Sequence, residues 1–214
     1  TIPDFNFYLS YLGIPSANMY MMKGKDNNIC SKCKKPSCIY PKICSNLNTS
    51  HRPLITLYRK VNEVKGIKKA FIGSGVRYDL FNDFSDKTNR EYFEELVLNH
   101  VSGRLKVAPE HTDDEVLKEM RKPSFQLFKT FKQRFDSLNR KHSLKQQLVP
   151  YFISSHPGCR MIHMQKLEQE MKSNRIQPEQ VQDFTPTPMT LASTIFYTGI
   201  NPYTGKSVYV VLSK

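Results

Sequence analysis

None of the signatures that mark phosphate-binding loops or serine hydrolases occurs in these 214 residues. The sequence lacks the G-x-x-x-x-G-K loop that cradles phosphates, the G-x-G-x-x-G dinucleotide turn and the G-x-S-x-G nucleophile elbow. No apolar run is long enough to cross a membrane and no secretory leader opens the chain, which points to a cytoplasmic protein without a membrane partner. The chain starts at Thr1, without an initiator methionine, and enters a strand-like pattern at once, as an excised piece of a longer protein would. No repeat, low-complexity run or Gly/Ser linker divides it. Cys159 lies close to His156 in sequence, but a thiol nucleophile needs its base placed by the fold, so this proximity does not argue for a cysteine hydrolase.

Charge of one sign is present in excess. Lys and Arg number 32 against 19 Asp and Glu, a formal charge of +13, which suits an anionic partner such as RNA or a nucleotide cofactor. The basic residues are spread along the chain, and no RNA-binding signature with interleaved aromatics accompanies them.

Four of the five cysteines fall together: Cys30, Cys33, Cys38 and Cys44, spaced C-x2-C-x4-C-x5-C. They sit in a cysteine-rich insertion, residues 23–50, whose Ser, Lys and Pro content predicts an irregular loop. Thiols this close need disulfides or a metal, and a reducing cytosol disfavours disulfides. Zinc in a closed tetrahedral site or a [4Fe–4S] cluster would both accept the set, and Lys32, Lys34, Lys35 and Lys42 would offset the negative charge.

Gly103 to Ser124, GRLKVAPEHTDDEVLKEMRKPS, organises the rest. Leu105 and Val107 alternate with Arg104 and Lys106, so a strand is expected, ended by Pro109. Thr112 and Glu115 read as a capping box, and Val116, Leu117 and Met120 supply the apolar face of the helix that follows. Ala108 to His111 is then the loop of a strand–loop–helix unit.

The same pattern recurs along the chain. Strands are expected at Asp4–Leu12, Lys68–Ser74, Gln146–Ile153, Val181–Phe184 and Ser207–Leu212. Helices are expected at Arg52–Val64, from a second capping box at Thr88 and Glu91 through Val101, and at Ser124–Lys141, Met161–Ser173 and Leu191–Tyr197. The Phe128, Phe131, Phe135 and Leu138 stripe reads as core. Strands alternating with helices imply an α/β fold with a parallel sheet, open or bent into a barrel, whose post-strand loops gather on one ligand-binding face. Those loops carry Ser74 and Arg77, then Glu110 and His111, then Ser154 and His156, then Thr185 and Thr187. Glu110 can accept hydrogen bonds from a ribose and Arg77 can grip a carboxylate, unless it pairs with Asp79 instead. His111 and His156 are candidate proton donors or acceptors.

LKVAPEHTDDEVLKEMRKP resembles the strand–loop–helix midway round the barrel of radical S-adenosylmethionine enzymes. With IPSANMY, CKKPSC, FIGSGVRYDL, LVPYFISSHPG, VQDFTPTPM and FYTGINP, in order along nearly the whole chain, the sequence is similar to the YgiQ-type family of uncharacterised radical S-adenosylmethionine proteins. That resemblance implies the C-terminal part of a partial (β/α) TIM barrel with the cysteine-rich loop inserted. It implies a radical-initiated modification of a substrate by the whole protein, using S-adenosylmethionine and a [4Fe–4S] cluster. Ser74, Arg77 and Glu110 would line the cofactor rim, and His111 and His156 would lie nearer the substrate. The family's C-x3-C-x2-C cluster motif is absent from this chain, so the main cluster would be held by an N-terminal part of the same protein. The chain alone would be catalytically silent, and Cys30 to Cys44 would form an auxiliary metal site. From another class, the reading is a zinc-stabilised basic RNA-binding module without catalysis.

Overall fold

Most of the alternating patterns become strands, and each strand is followed by a helix. In the computed structural model, which describes residues 7–10, 12, 16–179 and 181–211, the order is β1 (Phe7–Leu9), α1 (Asn27–Ser31), α2 (Arg52–Asn62), β2 (Ile67–Ala70), α3 (Lys87–Asn99), β3 (Arg104–Glu110), α4 (Asp114–Glu119), α5 (Phe125–Lys141), β4 (Gln147–Ser154), α6 (Met161–Ser173), β5 (Val181–Asp183) and α7 (Leu191–Thr198). β1 pairs with β2 in parallel, and β4 with β5 in parallel within a sheet ordered β3-β4-β5. Isolated parallel bridges join Ser16 to Gly75 and Val76 to Val107. The fold is α/β with parallel pairing. No helix among the described residues is long and apolar enough to cross a membrane.

The chain divides into two compact units, Thr1–Val107 with Lys129–Val149, and Ala108–Phe128 with Pro150–Lys214. The first is built round aromatic rings. Tyr58, Phe81, Tyr92, Phe131 and Phe135 are fully buried, and Phe81 meets Tyr92 and Phe131 edge-on with centroids 5.0 and 5.8 Å apart. Such edge-to-face pairs add to burial because a ring's positive rim meets its neighbour's negative face. The expected stripe on α5 is core: Phe128, Phe131, Phe135 and Leu138 are all buried. The second unit packs Phe125 between Phe128 and Phe152, with Val116, Leu117, Leu167 and Ile195 also inside.

Several local expectations are corrected. β3 runs through Pro109 to Glu110, so a single missing N–H does not end the strand. Neither capping box forms. α4 is capped by Asp113, which accepts from Glu115 N–H, and α3 by Asp86, which accepts from Thr88 N–H; an aspartate next to Thr112, and another two residues before Thr88, supply the caps instead. The cysteine segment contains the short helix α1. The closing strand is replaced by an isolated antiparallel bridge between Ile200 and Ser207. Of the expected first strand, residues 4–6 and 11 lie outside the described residues, as does Leu212.

His51, fully buried at the start of α2, stacks on Tyr92 at 4.2 Å and faces the Asn18 amide at 3.3 Å. Burial lowers its pKa from 6.5 to about 4, so it folds neutral. The unfolded chain binds a proton that the folded chain refuses between those values. Stability therefore rises with pH across the window and is lost as pH falls from about 6.5 to about 4, by up to about 3 kcal/mol. Urea midpoints measured between pH 4 and 7 should show this slope, and His51→Gln should remove about one proton from it.

Candidate functional site

Strand ends in the second unit converge on one cavity of about 360 Å³, within the range of small-molecule sites. Its wall takes Glu110 from the end of β3, Ile153 and His156 from the end of β4 and the loop beyond, and Gln182 to Thr185 from β5 and the loop after it. Glu110 and Ser155 both adopt left-handed backbone angles, with φ of 69° and 59°. For non-glycine residues this costs roughly 1–2 kcal/mol each, strain that tends to collect where a chain is held for function.

The cavity is polar at its strand-end rim and apolar behind. Lys122 Nζ donates to Glu110 Oε1 at 2.8 Å, which orients the carboxylate. Ser154 donates to the Asp183 carboxylate, and Ser155 Oγ stands 3.5 Å from the same oxygen. His156 is buried, and its Nδ1–H donates to the Pro157 carbonyl at 2.8 Å. That bond leaves the lone pair on Nε2, and burial lowers the pKa, so the ring is a neutral proton acceptor near pH 7. Phe184 meets its ring edge-on at 5.0 Å. Together with Met120, Ile153 and Ala192, Phe184 gives an apolar wall. The arrangement can bind a ligand that carries hydroxyls on one side and a flat or apolar group on the other.

His111 is not part of this wall. It is fully buried, and its Nδ1 accepts the Asp113 N–H at 2.9 Å, so its proton resides on Nε2 and faces Cys159 Sγ at 3.7 Å. Burial lowers its pKa to about 4 and raises that of the Cys159 thiol. A thiol facing an N–H has no base there, which removes the hydrolase reading on geometry. The expectation that His111 approaches a substrate is thus replaced by a structural role: it ties the end of β3 to the start of α4.

Asp113, Glu115 and His163 bring three ligand atoms within 4.8 Å of one another, and two of the three side chains already serve the local backbone or an ion pair. Asp113 accepts from Glu115 N–H and from Lys166 at 3.0 Å, and His163 Nδ1 accepts the Arg160 N–H at 3.1 Å. Asp113 and His163 thereby hold the starts of α4 and α6.

Ser74 and Arg77 belong to the first unit. The Arg77 guanidinium grips Asp79 through two bonds, at 2.5 and 3.2 Å, the plainer of the two expectations for it. Its backbone is clamped by Asn18, which accepts from Arg77 N–H and donates to Arg77 C=O at 2.7 and 2.9 Å. The Ser74 hydroxyl is buried without a partner among the described residues. Cys30, Cys33, Cys38 and Cys44 are free thiols that line one smaller cavity of the same unit. Asp183, Lys122 and Asn18 were not singled out from the sequence. Asp183 occupies the same strand-end place on β5 as Glu110 on β3, and that positional rule would have found it. For Asn18, 59 residues from its partner Arg77, no local signal exists.

Glu110 and His111 should separate in a stability measurement. His111→Ala is expected to cost about 2–4 kcal/mol, from the cavity left behind and the stranded Asp113 N–H, and Glu110→Gln less than about 1 kcal/mol. Urea unfolding of the two variants gives both numbers.

Residues 179–213 match the family model of a domain of unknown function, DUF3362. The chain is 58% identical over 213 residues to a UPF0313 protein of Bacteroides thetaiotaomicron, covering 97% of this chain and 34% of that protein. It is 55% identical to a UPF0313 protein of Porphyromonas gingivalis, with 99% and 34% covered, and 42% identical to the UPF0313 protein YgiQ of Escherichia coli K12, with 98% and 28% covered. No solved structure matches. The chain spans about a third of the length of these relatives, and over nearly all of its own length it is similar to UPF0313 proteins, YgiQ among them.

Proposed function

We propose that this chain forms part of the cofactor and substrate pocket of a radical S-adenosylmethionine iron–sulfur enzyme. The observation that carries the reading is the convergence of Glu110, His156 and Asp183, from the ends of three strands that are neighbours in both sequence and sheet, on one cavity. Consecutive strand order with ligand groups at the strand ends is the logic of a (β/α) barrel, whereas a doubly wound sheet reverses order at its binding crevice. The motifs shared with the YgiQ-type family and the identity to YgiQ itself support the same reading.

The residues present suit an adenosyl group. Glu110, held by Lys122, can accept from ribose hydroxyls, and Phe184, Met120 and Ile153 offer the base an apolar wall. His156, neutral and with Nε2 unprotonated, can take a proton or a hydrogen bond from the substrate. Bound here, S-adenosylmethionine would supply radical chemistry to the whole protein, with its reducing cluster held elsewhere in that protein. The contribution of this chain is to bind, orient and exclude water.

Equilibrium binding of S-adenosylmethionine to the full-length protein tests the proposal. Glu110→Gln should weaken it at least about tenfold, since a hydrogen bond to a charged group is worth about 1.5–3 kcal/mol. An unchanged Kd in both Glu110→Gln and His156→Ala would remove the cavity from the account.

A further inference from the structure

We propose that Cys30, Cys33, Cys38 and Cys44 hold an iron–sulfur cluster, and that this cluster is what folds the segment 23–50. The proposal is independent of the strand-end cavity and rests on observations of the first unit alone.

Conformational cost makes the first argument. An antiparallel bridge between Gly24 and Leu47, with Lys25 N–H donating to Asn46 C=O at 2.7 Å and Asn48 N–H to Lys23 C=O at 2.9 Å, closes the ends of the segment. Between them no residue is buried: α1 contributes no buried side chain, and Ile29 and Ile43 are 55% and 45% exposed. Ordering the backbone costs about 1–2 kcal/mol per residue, and a loop with no apolar interior has nothing of its own to offset that. The cysteines form no disulfide. A metal–thiolate centre is the remaining cross-link that the residues can make.

Arrangement of the sulfurs makes the second. All four thiols line one cavity of about 180 Å³. Two donors are directed at sulfur, Asn46 Nδ2 to Cys30 Sγ at 3.2 Å and Lys35 N–H to Cys33 Sγ at 3.4 Å, a pattern that stabilises thiolate ligands. Gly24 makes room for this: a Cβ there would stand 2.2 Å from Cys30 Sγ.

Spacing chooses the metal. Among the described His, Cys, Asp and Glu side chains, only Asp113, Glu115 and His163 place three ligand atoms within 4.8 Å of one another, so no three of the four sulfurs do. Four thiolates on a single zinc ion, each at about 2.3 Å, stand only about 3.8 Å apart. A wider set, with one thiolate for each separate iron, is what a [4Fe–4S] core requires. Lys35 in the wall and Lys32, Lys34 and Lys42 nearby supply compensating positive charge.

The test is iron and acid-labile sulfide content of the full-length protein, reconstituted anaerobically, compared with its Cys30/Cys33/Cys38/Cys44→Ala variant. The wild type should carry about four more irons and four more sulfides than the variant. Gly24→Ala should lower that difference, while Cys159→Ser leaves it intact. A second readout needs no variant: the four thiols should resist alkylation until the cluster is stripped, and proteolysis within 24–46 should begin at that point. Equal iron in wild type and variant, zinc bound to these thiols in place of iron, or unhindered alkylation in the reconstituted protein would each overturn the proposal.

Discussion

The period-two alternation of β3 is the constraint on which the second unit depends. Leu105, Val107, Pro109 and His111 are all buried, while Arg104, Lys106 and Glu110 are not. Two neighbouring ionisable residues are therefore sent in opposite directions by one register. Glu110 reaches the cavity, and His111 enters the core as an uncharged ring whose two nitrogens are both engaged. Every later feature of the site follows from that parting. The His111–Asp113 bond fixes where α4 begins, and Lys122, just beyond α4, comes back to pair with Glu110.

Charge in the cavity is arranged with little left unbalanced. Glu110 has Lys122, Asp183 has the hydroxyls of Ser154 and Ser155, and His156 is kept neutral by burial and fixed as the Nδ1–H tautomer by a carbonyl. A site that already meets its own electrostatic needs can bind a polar ligand by exchange of hydrogen bonds, without burying an unpaired charge. The left-handed angles at Glu110 and Ser155 hold the strand ends where these side chains converge.

Much of the element order was legible because it rests on apolar periodicity, which is local. The α5 stripe, the extent of α6 and the strand at Val181 all follow from spacing of a few residues. Errors arose where two local rules competed. Pro109 reads as a strand terminator by its missing N–H, yet the buried odd-numbered pattern runs on through it, and following that pattern places His111 inside. Thr112 with Glu115 and Thr88 with Glu91 read as capping boxes, yet Asp113, next to the one threonine, and Asp86, two residues before the other, take the caps. Beyond reach of any spacing rule were the Asn18 clamp on Arg77 and the pairing of Lys122 with Glu110, since both depend on segments that meet only after folding. The cysteine spacing suits a metal-ligand set without choosing its occupant; the separation of the sulfurs, on which the proposed choice of a cluster over a single ion rests, is a tertiary quantity.

The central claim is that the strand-end cavity receives S-adenosylmethionine. Its most direct test is amide hydrogen exchange of the full-length protein with and without that cofactor. The account predicts slowed exchange in peptides covering 108–123 and 181–192, the two stretches that carry Glu110, Lys122, Asp183 and Phe184. Protection confined to other parts of the protein, with these two stretches exchanging as in the free form, would contradict it.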